Sequence, residues 1–123
     1  DADQLFAIQS EAIRNLAERE SCVIVGRCAE YVLRDHPHKA SIFITADYED
    51  RVRYVMNHDN VDRTQAILTI EKGDKRRRSY HDYYATTRWG EARCYDLCIN
   101  SSHFGIEGTT DFICSYIKKR FGI

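Results

Sequence analysis

Three short runs constrain the fold more than any other feature: residues 22–26 (CVIVG), 41–46 (SIFITA) and, more weakly, 95–100 (YDLCIN). A strand with one wet face alternates apolar and polar residues. A run without alternation reads as a strand buried on both faces, as in a parallel sheet. Around these runs the spacing turns helical. Leu5, Ile8, Ala12 and Leu16 share one helical face. Residues 28–35 (CAEYVLRD) carry a short helical pattern that ends at His36-Pro37, because the residue before proline avoids the α region. Asp47 is placed to cap a helix with Tyr48, Val52 and Val55 on one side and Asp50 three residues on. A longer helical stretch runs from about Arg63 to Tyr84, with Gly73 inside it as a weak point or hinge. Ile106, Ile113, Ile117 and Phe121 mark a last helix, with Lys118, Lys119 and Arg120 near its negative dipole end.

The order α-β-α-β-α-α-β-α predicts an α/β fold, with runs 22–26, 41–45 and 96–99 as neighbours in one parallel sheet and helices on both faces. A length of 123 residues suits one domain. Three strands make a thin sheet, and the chain opens Asp-Ala-Asp with a helix under way. The expectation is a piece of a longer protein, with a further strand outside it.

Net charge limits the partners. With 18 cations against 19 acids, the chain is not a general polyanion binder, so any basic surface is local. No apolar run approaches the ~20 residues of a membrane span. The five cysteines are odd in number and contain no C-x-x-C, which argues against both a disulfide framework and a zinc site. The histidines show no ligand spacing such as H-E-x-x-H, and no G-x-S-x-G nucleophile turn occurs. No metal ligands are expected on these grounds.

Residues 74–90 (DKRRRSYHDYYATTRWG) carry the local basic surface. On a helix Arg76, Tyr80 and Tyr84 share one face, and Arg77, His81 and Arg88 another. Three successive arginines favour forked contact with phosphate oxygens, and Asp74 stands where it can hold Arg77. A solvated basic face with tyrosines under the arginine stems is equally compatible. A nucleic-acid patch is a third reading, opposed by the net charge of -1 and by the lack of a known module. Gly26-Arg27 ends the first run, at the strand end where ligands bind in open α/β sheets.

Residues 23–35 (VIVGRCAEYVLRD), 42–55 (IFITADYEDRVRYV), 74–80 (DKRRRSY) and 95–108 (YDLCINSSHFGIEG), in this order, resemble the cytidylate kinase-like family of bacterial P-loop kinases. The resemblance runs over nearly the whole chain from about Cys22. It implies a three-layer P-loop kinase-like parallel sheet, incomplete here. Residues 1–123 would form the C-terminal part of a single such domain, with a lid at about 63–90. It implies a cytoplasmic enzyme that transfers the γ-phosphoryl group of ATP, with Mg2+, to a nucleoside monophosphate, CMP or dCMP first. Arg27, beside Gly26, resembles the arginine that contacts the acceptor, and Arg51 a phosphate ligand. Asp74 and Arg77 resemble the lid pair that closes over the phosphates, with Arg76 and Arg78 sharing that work. A homodimer is compatible with it, and a membrane or nucleic-acid partner is not expected.

The chain also departs from the family pattern. Ile70 stands where true cytidylate kinases carry an arginine, Cys28 rather than aspartate follows Gly-Arg, and Gly105 replaces a capping serine. The glycine-rich donor-phosphate loop is not among these residues. A non-catalytic nucleotide-binding or regulatory module derived from such a kinase is the alternative.

Overall fold

The computed structural model describes residues 1–123. Its first helix, α1 (Ala2–Arg19), starts on a capping box: Gln4 N–H donates to the Asp1 carboxylate at 2.8 Å, and the Gln4 side chain returns the contact. A one-turn helix, α2 (Ala29–Val32), is far shorter than the 28–35 pattern predicted. Then follow β1 (Ile42–Thr45), α3 (Tyr48–Asp59), α4 (Arg63–Tyr84), β2 (Leu97–Asn100) and α5 (Gly105–Phe121).

β1 and β2 pair in parallel, with Ile42 opposite Leu97 and Thr45 opposite Asn100. Asp96 fastens the start of the pair by accepting hydrogen bonds from the Ser41 N–H at 2.8 Å and the Ser41 hydroxyl at 3.1 Å. Arg120 of α5 meets the same carboxylate at 2.9 Å. The sheet has two strands, not the three expected. Residues 22–26 form no strand, and Val23 and Val25 are 93 % and 88 % exposed. Their apolar pattern states what the run could bury, but no segment of this chain lies beside it to accept the ladder.

The tightest packing is between α3 and α4. Val52 and Ala66 are fully buried, Ile70 nearly so, and Val55, Met56, Val61 and Ile67 pack against them. Asp62 caps α4 through Gln65 N–H at 2.8 Å. Asp47 sits at the start of α3 but gives its side chain no capping role; its carboxylate accepts from Asn100 Nδ2 at 2.9 Å instead. Gly73 is no hinge. α4 is continuous through it, and a Cβ there would meet the Arg77 guanidinium at 3.0 Å. No helix is long and apolar enough to cross a membrane.

Candidate functional site

Gly26, Arg27 and Cys28 all take left-handed backbone, with φ of 70°, 57° and 60°. Glycine enters that region freely, but arginine and cysteine are each strained there by about 1–2 kcal/mol. Such strain persists where surrounding contacts over-determine the turn, and it gathers at functional sites. Ala29 N–H closes the turn onto the Gly26 carbonyl at 3.1 Å. Arg27 and Cys28 thereby line a cavity of about 520 Å³.

The opposite side of this cavity comes from α4, which contributes Arg76 and Arg77. Phe43 of β1 joins Trp89 and Tyr95 in an aromatic wall, meeting Trp89 edge-on at 5.2 Å and Tyr95 at 4.9 Å. Arg78 is not one of the cavity's lining residues; it lies over the ring of Trp89, which is, 5.5 Å from the ring centroid. Behind Arg77, Asp74 takes both arms of Arg51, at 3.0 and 2.7 Å, and one arm of Arg77 at 3.3 Å. The forked Arg51 contact is the stronger of the two and ties α3 to α4. The Asp74–Arg77 contact expected from their spacing is therefore present, but Arg51 is the main partner.

Of the residues singled out from the sequence, Gly26, Arg27, Arg76 and Arg77 meet in one cavity, while Asp74 and Arg51 stand in the layer behind it. Tyr84 docks α4 on α1, stacking on Phe6 with centroids 3.9 Å apart and donating to Asp3 at 3.0 Å. Tyr80 lines the cavity and meets Phe6 edge-on.

Three residues at this cavity were not expected together. His81 follows Arg77 by one helical turn and is 3 % exposed. Its Nδ1 faces the Asp82 carboxylate at 3.0 Å, and its Nε2 contacts Glu30 of α2. Cys28 Sγ reaches the His81 carbonyl at 3.9 Å, 53 residues away in sequence. That separation is why no spacing rule finds the group. Burial, reinforced by the Glu30 and Asp82 charges, pushes the Cys28 thiol up to about 12, so it is not a ready nucleophile. Burial likewise pushes the Tyr95 phenol up to about 12, Glu30 adding to it, despite the Gly90 N–H it accepts. Burial also raises the Asp82 carboxyl. The His81 hydrogen bond, the Trp89 N–H and the charges of His81 and Arg88 outweigh it and hold Asp82 below its ordinary value.

The cavity offers guanidinium groups and aromatic faces. Its one lining carboxylate, Glu30, is taken by His81. Such a lining suits an anion that carries a planar ring, and it holds no free general base.

A family model for the cytidylate kinase-like family matches residues 1–103 of this chain. No curated protein matches it. The crystal structure of an uncharacterized protein from Eubacterium ventriosum ATCC 27560 is 39% identical with a TM-score of 0.91, over 94% of this chain and 73% of that one.

Proposed function

Because this chain belongs to the cytidylate kinase-like family, we propose that it supplies the acceptor edge and the arginine-bearing helix of a nucleoside monophosphate kinase, with CMP or dCMP as the first candidate acceptor. One observation carries the reading: Arg27, on a strained turn, shares a cavity with Arg76 and Arg77 of α4, and an aromatic wall lines the same space. Phosphoryl transfer demands little covalent chemistry from the protein. It needs positioning, and cations where charge develops. Arg27 holds the acceptor phosphate, and the base lies against Phe43, Trp89 and Tyr95. Arg76 and Arg77 meet the phosphoryl oxygens as α4 closes, and closure removes water that would screen them. Asp74, anchored by Arg51, keeps Arg77 aimed. Arg78 holds Trp89 in place from outside.

ATP and Mg2+ would supply the transferred group and neutralise its charge. The residues of this chain do not form their seat: its six glycines stand singly, and Glu30 is engaged by His81. Within this reading the complete fold is a three-layer P-loop kinase sheet. The unpaired run 22–26 supports it, since Val25 lines the same cavity as Ile42 and Phe43 of β1. One further strand suits the gap.

A nucleotide-binding module without catalysis is the second reading, favoured by Ile70, which is buried and apolar where true cytidylate kinases carry an arginine. Assaying the full-length protein with ATP, Mg2+ and a panel of monophosphates separates the two. ATP-dependent formation of a nucleoside diphosphate supports the kinase; tight monophosphate binding without turnover supports the module. In an active enzyme, Arg77→Ala lowers kcat more than it raises KM, by about 2–4 kcal/mol in barrier. Arg77→Lys restores only part of it, because an ammonium lacks the fork. Wild-type kcat in Arg77→Ala would refute the role given to α4.

A further inference from the structure

Cys28, Glu30 and His81 bring a sulfur, an oxygen and a nitrogen within 4.8 Å of one another. These are three different donor types, from two separate elements, converging at the edge of the cavity. His81 is oriented as a metal-ligating histidine is. Its Nδ1 faces a carboxylate, that of Asp82, at 3.0 Å, and the Trp89 N–H fixes that carboxylate in turn at 2.8 Å. Carboxylates face both ring nitrogens, and the tautomer that gives its Nδ1 proton to Asp82 leaves the lone pair on Nε2. In that tautomer Nε2 points at Glu30, which is itself an acceptor. Two acceptors face to face require a cation between them, either a proton or a metal ion. The sulfur of Cys28 beside them favours a borderline-soft ion over Mg2+ or Ca2+.

We propose that Cys28 Sγ, a Glu30 carboxylate oxygen and His81 Nε2 form a site for one divalent cation of the zinc type, which pins the Gly26–Cys28 turn to α4. Zinc bonds of about 2.0–2.3 Å place tetrahedral donors about 3–4 Å apart. The three donor atoms, all within 4.8 Å of one another, lie near that spacing. Binding releases two protons to solvent, one from the Cys28 thiol and one shared between Glu30 and His81. The ion inverts the local electrostatics, because a coordinating thiol is deprotonated outright. Its fourth position is left to water or to an anion in the cavity. Cysteine spacing alone argued against zinc; the fold supplies the missing ligands from a distance. The proposal stands apart from the kinase reading, since metal binding is measured without nucleotide, and failure of either leaves the other intact.

The test strips the protein with a chelator, titrates it with Zn2+ against a competing chelator dye, and repeats the titration with Co2+. The expected result is one equivalent of tightly held Zn2+. The Co2+ form should show a sulfur-to-cobalt charge-transfer band and the intense visible bands of tetrahedral coordination. Cys28→Ser should abolish the charge-transfer band, and His81→Ala should weaken affinity by about 100-fold or more. Asp82→Asn should weaken it about 10- to 100-fold. Cys98→Ser, which removes an exposed thiol, should change nothing. Should His81→Ala unfold by circular dichroism, the near-isosteric Cys28→Ser and the parent Co2+ spectrum decide. Sub-stoichiometric zinc, a weak octahedral Co2+ spectrum without the sulfur band, or parental affinity in Cys28→Ser would each overturn the site and leave a Glu30–His81 ion pair.

Discussion

The α3–α4 hairpin and the segment from 22 to 28 have similar claims to a core by composition, yet the fold treats them oppositely. In the hairpin, Val52, Ala66 and Ile70 are buried by their own neighbours, and Arg51 with Asp74 forks across the two helices. In the other segment Val23 and Val25 stand in solvent, and the three residues that follow are held in left-handed backbone. The contrast separates two kinds of apolar residue. The hairpin buries its own apolar residues, whereas no part of this chain covers the 22–26 run.

The largest effect expected of this contrast is on the hairpin core. Val52→Ala should cost about 2–3 kcal/mol, read as a drop in denaturant midpoint, because the site is fully buried and its surroundings cannot collapse freely. Next comes the fork. Asp74→Ala leaves Arg51 half-buried without its partner and should cost about 1–2 kcal/mol. Adding Arg51→Ala should then cost little more, since the pair acts as a unit.

A smaller effect is tied to pH. Burial raises the Asp96 carboxyl, but the Ser41 hydrogen bonds and Arg120 hold it below its ordinary value of 3.8. A carboxyl depressed on folding contributes stability above its ordinary pKa and loses it as pH falls through the lower folded value. Acid unfolding below pH 3.8 should therefore be partly removed in Asp96→Asn, at a cost near neutrality of about 1 kcal/mol. The smallest effect is the sharpest contrast: Val23→Thr and Val25→Thr should each change the stability of this chain by less than about 0.5 kcal/mol. A loss comparable with Val52→Ala would mean that the run is already covered.

The sequence reveals these regions unequally. The runs at 41–46 and 95–100 become β1 and β2 because each supplies the other's partner, and the 3.6-residue pattern finds α1, α3, α4 and α5. The run at 22–26 has the same pattern and no partner, and periodicity cannot tell the two cases apart. Gly73 reads as a hinge by propensity, but its role depends on Arg77 lying against it. At the site, the Asp74–Arg77 spacing is local and readable. Arg51 and the Cys28–Glu30–His81 group are long-range, and nothing short of the fold brings them together.

The most direct test of the acceptor site compares binding of CMP with binding of cytidine by calorimetry, in the parent protein and in Arg27→Ala. If Arg27, Arg76 and Arg77 hold a phosphate, CMP should bind more tightly than cytidine by about 10- to 100-fold. Arg27→Ala should remove most of that difference while leaving cytidine affinity and thermal stability nearly unchanged. Equal affinity for CMP and cytidine in the parent protein would contradict a phosphate site at this cavity.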